Sequence, residues 1–189
     1  MLLLVLGLIL WSATHLFIAL APNQRAALIG KLGEMPYKGL FSVVLVLALA
    51  LMVMGWKSMP PSAVWNPPAG MRHLTMALMP IAAILFVSAR APTDIKQLIR
   101  HPQLTSVKLW AVAHLLSNGE LRSLILFTGL LAWAVLEVIV INRRDGAWNK
   151  PQPVGMVKTC AFVGAGLFFA AFLMWAHPWL SGIPLLPTG

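Results

Sequence analysis

The feature that most constrains this chain is its series of long, nearly uncharged apolar runs. Leu2–Ala21 and Gly39–Trp56 contain no Asp, Glu, Lys or Arg, and Ser123–Ile141 contains only Glu137. A helix rises about 1.5 Å per residue and the hydrocarbon core of a bilayer is about 30 Å thick, so about 20 such residues cross it. Six runs approach this length: Leu2–Ala21, Gly39–Trp56, about Leu74–Ala89 with Pro80 inside it, about Leu104–Ser117, Ser123–Ile141 and Lys158–Ala176. The fourth is short, about 21 Å as a helix. Its outer end, Ser117-Asn118-Gly119-Glu120, is expected to lie in a protein-lined dip below the membrane surface.

Composition leads to the same class. Hydrophobic residues make up 59% of the chain and charged residues 10%, against about 45–50% and about 25% in soluble domains. Disorder and a disulfide scaffold are excluded, the latter because Cys160 is the one cysteine. The expected fold is all-α: a polytopic helical membrane protein of about six transmembrane helices in one bundle, a single domain over residues 1–189.

The first run lacks the basic start of a signal peptide, is too long for one, and has Pro22 directly after its small residues. It is expected to be a retained helix. The net charge is +9, yet the basic residues stand singly between apolar runs. They read as topology signals and lipid contacts, and nucleic acid is not an expected partner. With six spans, Arg25, Lys31, Lys38, Arg90, Lys96, Arg100, Lys108, Arg143, Arg144, Lys150 and Lys158 fall on one side. Only Lys57, Arg72 and Arg122 fall on the other, a division of eleven to three. Positive residues stay in the cytoplasm, so both termini are expected on the periplasmic side. The proline-rich segment Ser58–Gly70 is expected to cap the outer end, with Trp56, Trp65, Trp175 and Trp179 at the interfaces. The four-residue spacing of Ala161/Ala165 and Gly166/Ala170 points to close helix packing within the bundle. Cys160 reads as an inert thiol.

Ionisable groups at membrane depth are costly and mark functional candidates. His15 and His114 occupy matched segments, Trp11-Ser12-Ala13-Thr14-His15-Leu16 and Trp110-Ala111-Val112-Ala113-His114-Leu115. Trp and His four apart share a helix face, and the small neighbours leave room for a planar group. Two such histidines on separate helices could hold a haem iron, or each could simply hydrogen-bond between helices. Axial ligands of one haem need similar depth. His15 is about 20 Å from the outer end of its helix, while His114 is a few residues from the outer end of the fourth. Arg100-His101-Pro102 opens the fourth helix and offers cationic donors beside free backbone N–H groups, an anion site for a propionate, lipid phosphate or cofactor carboxylate. Glu137, an intramembrane carboxylate, is expected to form a structural ion pair with Arg100, Lys108, Arg143 or Arg144. No catalytic triad, zinc motif or phosphate-binding loop is present.

These segments, with Leu109–Leu121 and Ser123–Gly129, resemble the NnrU family of bacterial membrane proteins, which is related to plant zeta-carotene isomerase. The resemblance covers nearly the whole chain. It implies an inner-membrane protein that binds haem b through His15 and His114, with Arg100 and His101 near the propionates. It also implies a role in nitric oxide or denitrification-related redox metabolism, or in haem-dependent isomerisation of an apolar polyene. A cysteine implicated in the isomerase branch precedes the second histidine, where this chain has Ala111 and Val112. Arg100-His101-Pro102 followed by Glu137 is also similar, more distantly, to membrane isoprenylcysteine and phospholipid methyltransferases, which implies S-adenosylmethionine as an alternative cofactor. A third expectation is a non-catalytic accessory protein. Catalytic residues, oligomeric state and protein partners are not fixed by the sequence.

Overall fold

The computed structural model describes residues 1–183 and Leu185. Among the described residues there are seven α-helices: α1 (Leu2–Leu20), α2 (Pro22–Leu32), α3 (Glu34–Lys57), α4 (Met71–Arg90), α5 (Pro102–Ser117), α6 (Leu121–Asp145) and α7 (Met156–Ser181). A single 3-10 turn, Asp94–Gln97, precedes α5. Among the described residues there are no strands; Ala63 and Glu120 form an isolated antiparallel bridge. Helices α1, α3, α4, α6 and α7 are long and apolar enough to cross a membrane. The expected fourth span is α5, of 16 residues and so about 24 Å long.

The segment between the first two spans is not a loop. Pro22 stops α1, because the residue before a proline is kept out of helical geometry, and then serves as the first residue of α2. Gly33 ends α2 with φ of +85°, a conformation that favours glycine, and α3 begins at the next residue. No residue of α2 is buried.

The chain forms two compact units. The first comprises Met1–Trp65 and Glu120–Gly146, the second Asn66–Gly119 and Ala147–Gly189. In the first, α1 is the central helix and packs most extensively on α3 and α6. Glycines set the close approach to α3. A Cβ at Gly7 would lie 2.8 Å from the Ala48 carbonyl oxygen, and one at Gly55 would lie 2.7 Å from the Leu4 Cα. Leu4–Gly55 and Gly7–Ala48 make α1 and α3 antiparallel. On the other side Leu8 fills the space over Gly129, and Trp11 meets Trp133, so α1 and α6 run parallel. Phe127, Leu130, Trp133, Ala134 and Glu137 are the buried stripe of α6, at helical spacing.

The start of α6 is fastened to the proline-rich segment. The Leu121 N–H donates to the Ser62 carbonyl at 2.9 Å. The Arg122 guanidinium lies 3.9 Å over the Trp56 ring, bonds Glu120 at 2.7 Å and reaches the Met59 carbonyl. Trp56, expected at an interface, is therefore buried, whereas Trp175 and Trp179 are exposed.

In the second unit α4 is central, against α5 and α7. The Thr75 hydroxyl donates to the Ala113 carbonyl and that of Ser106 to the Ala82 carbonyl, each at 2.6 Å. These pairs make α4 and α5 antiparallel. Gly166, the buried residue of α7, lies against Ile84, where a Cβ would come within 2.6 Å of the Ile84 Cα. Its small side faces this partner helix. Before α7, the Asp94 carboxylate accepts the N–H groups of Val154 at 2.7 Å and Gly155 at 3.1 Å, while the Asp94 N–H donates to the Thr159 hydroxyl.

Candidate histidine ligand sites

His15 stands one turn before the end of α1 and is half-buried. Its Nδ1 is 2.9 Å from the Trp11 carbonyl oxygen. A carbonyl only accepts, so Nδ1 carries the proton and Nε2 the lone pair. Three aromatic rings from three helices surround the imidazole. Trp11 lies at 4.4 Å, Trp133 at 4.8 Å and Phe41 at 5.9 Å between centroids. Behind Phe41, Tyr37 is overlain by the Arg25 guanidinium at 5.7 Å. The arrangement follows from the register: α3 brings its N-terminal third to the level of His15, and parallel α6 brings Trp133.

This cluster holds polar atoms without partners: Trp11 Nε1 and Arg25 Nε are buried and make no hydrogen bond. Such atoms are uncommon in native interiors and call for an explanation, one being a bound group. Glu137 follows Trp133 by one turn on the buried face of α6, and the α1–α6 register places it near the level of His15. The expected ion pair is absent among the described residues: Arg144 instead bonds Asp145 at 2.7 Å and donates to the Ile18 carbonyl. The sequence pointed to cations near Glu137, but the α6 basic pair lies past the buried stripe, where Asp145 is adjacent.

His114 repeats the pattern on α5. Its Nδ1 is 2.9 Å from the Trp110 carbonyl oxygen and the two rings are 5.1 Å apart. Again Nε2 carries the lone pair. Sequence reasoning passed over His177, which the second unit brings to the same level. The Thr75–Ala113 bond aligns His114 with the start of α4. The Asp94–Thr159 and Ile84–Gly166 pairs, and the Arg72 bond to the Leu185 carbonyl, align His177 with it too. His177 and His114 lie within electrostatic reach of each other. His177 Nδ1 is also anchored to a carbonyl, that of Ile183 at 2.9 Å. The sequence signal was its place in α7 just before Pro178.

Arg100 and His101 precede α5 as expected, with His101 as N-cap and Pro102 the first helical residue. Helical rise puts His101 about 20 Å along the axis from His114. That is farther than the porphyrin of a haem bound at His114 extends from its iron. Arg100 and His101 belong to the second unit and Glu137 to the first. Cys160 is exposed rather than buried in a packing face.

Among the described residues no three His, Cys, Asp or Glu side chains converge. A zinc-type cage of protein ligands has no donor set there, whereas haem iron needs only one or two protein ligands. Neutral imidazoles with Nδ1–H held by a carbonyl suit that role, because the second hydrogen bond fixes the ring and raises the basicity of Nε2.

Fold and sites together define an all-helical protein with membrane-spanning helices and backbone-anchored histidines. The family described as NnrU protein matches residues 3–185. The chain belongs to the NnrU family. No curated protein and no solved structure matches it.

Proposed function

We propose that this NnrU-family protein binds haem b in the cytoplasmic membrane of a bacterium, with His15 and His114 as iron ligands. The observation that carries the reading is the twice-used Trp–His unit. In each, the tryptophan carbonyl one turn back holds Nδ1–H and leaves Nε2 as the donor. The aromatic wall of Trp11, Phe41 and Trp133 around His15 would exclude water and present flat apolar surface. The unpartnered Arg25 Nε and Trp11 N–H would meet the polar periphery of the cofactor. Haem bound in this way supplies one-electron exchange and affinity for nitric oxide. The function is redox handling of nitric oxide in denitrification-related metabolism, or haem-dependent isomerisation of an apolar polyene.

A second reading of the ligand set rests on the second unit. His114 and His177 share a level against α4 within the second unit, and Nδ1 of each is held by a carbonyl, so the two can serve together as iron ligands.

The topology is six crossings with both termini periplasmic. The chain leaves α3 and enters α6 at one place, fastened by the Ser62–Leu121 bond and the Ala63–Glu120 bridge. A segment that departs and returns at one end crosses an even number of times, so α5 makes the return for α4. The basic residues then divide eleven to three.

The deciding experiment is the visible spectrum of protein purified in mild detergent, oxidised and then dithionite-reduced, with haem counted per chain. A near-stoichiometric b-type spectrum is expected. A colourless protein after expression with added haem would overturn the reading.

A further inference from the structure

We propose that the second unit holds an anionic phospholipid, its acyl chain in a groove between α4 and α7 and its phosphate on Arg90. The groove has a volume of about 420 Å³ and is lined by Phe86, Val87, Ala91, Pro92, Phe162 and Phe169, with Arg90 the one polar member. Phe86 and Phe169 stack on each other at 5.6 Å and 20° and form one wall of it. An apolar trough whose one polar lining residue carries a guanidinium has the polarity of an amphiphile: hydrocarbon against its apolar walls and an anion at the cation.

Charge selects the head group. Arg90 is the last residue of α4 and is exposed, and among the described residues it makes no ion pair or hydrogen bond. Lys158 lies one helical turn before Phe162 on α7. Lys96 and Arg100 follow Arg90 in the chain. The neighbouring acid, Asp94, has both carboxylate oxygens engaged by the Val154 and Gly155 N–H groups and does not neutralise Arg90. The α4 end of the groove thus presents a guanidinium with no counter-charge among the described residues, the setting in which basic groups at membrane helix ends take anionic head groups. Arg suits a phosphate because its planar fork bonds two oxygens at once.

The site is independent of the histidines. Its test is native mass spectrometry of the full chain in detergent, titrated with equal amounts of dioleoylphosphatidylglycerol and dioleoylphosphatidylcholine. The wild type is expected to retain phosphatidylglycerol preferentially. Arg90→Gln is expected to lower that preference about fivefold, the effect of one basic group at an anionic surface. Arg90→Lys, which keeps the charge and the insertion signal, should retain more of the preference than Arg90→Gln. Phe162→Ala should weaken retention of both lipids. Equal binding of the two lipids by the wild type would overturn the proposal, as would an unchanged preference in Arg90→Gln. A dimer that forms through Phe162 and Phe169 and excludes lipid would also overturn it, since a second copy would then occupy the groove.

Discussion

The imidazole of His15 donates Nδ1–H to the Trp11 carbonyl oxygen, one turn back on the same helix, at 2.9 Å. The bond needs only a histidine whose ring folds back along its own helix, the direction helical side chains favour. It is repeated between His114 and Trp110. The two tryptophans lie beside the rings they orient, so each pair is built without help from a distant residue.

The histidines are therefore separable by mutation. His15→Ala and His114→Ala are each expected to lower haem per chain about tenfold or convert the spectrum to five-coordinate, with loss of a ligand bond. His177→Ala decides between ligand sets: an unchanged spectrum leaves His177 out of the set, and a changed one, with His15→Ala unchanged, assigns His177. Optical spectra of the three variants, checked for folding by circular dichroism, give the answer.

Two glycines are expected to be intolerant of a methyl group. Gly55→Ala drives Cβ against the Leu4 backbone and Gly166→Ala against Ile84, and each should cost about 1–3 kcal/mol. Gly164→Ala is the control, with nothing within 4 Å of its Cβ. Thermal unfolding in detergent should show two lowered midpoints and one unchanged.

Arg122→Ala removes a guanidinium stacked on Trp56 and paired with Glu120. A loss of about 1–2 kcal/mol is expected, mostly from the cation–π contact, since its ring is buried and the ion pair is partly exposed. Chemical denaturation followed by tryptophan emission measures it, and Trp56 should become more solvent-quenched in the variant.

Asp94→Ala leaves the Val154 and Gly155 N–H groups without their carboxylate. Hydrogen bonds to a charged group are worth about 1.5–3 kcal/mol. Amide exchange at these two positions should accelerate about tenfold or more, with little change in α3. Unaltered exchange would show that Asp94 does not hold the start of α7.

Membrane sidedness is checked with single cysteines in a Cys160→Ala background. A cysteine at Ser62 should react with an impermeant maleimide added to intact cells, and one at Gln97 should react only after lysis. The reverse pattern would invert the topology.

The long helices were legible because bilayer thickness imposes a length that few other structures require, and the Trp–His pairs because four-residue spacing is local. α2 was not legible: Asn23, Gln24, Arg25 and Lys31 break its apolar run, and its punctuation, Pro22 and Gly33, reads equally as a loop. The wall of His15 was hidden for another reason. Phe41 and Trp133 come from other helices, and nothing local to either records the register that brings them to α1. Glu137 was marked by depth alone, and its lack of an ion pair depends on where the Arg144 side chain goes. His177 needed the α4–α7 pairing to show that it shares a level with His114.

The fastening of Leu121 to Ser62 has a consequence for biogenesis. The first unit is interrupted in the chain: α1 and α3 leave the ribosome early, and α6 follows only after α4 and α5 have been made. Until then His15 has Trp11 and Phe41 beside it but lacks Trp133. The aromatic wall of His15 is completed only when the nascent chain has reached α6, after most of the protein has been made.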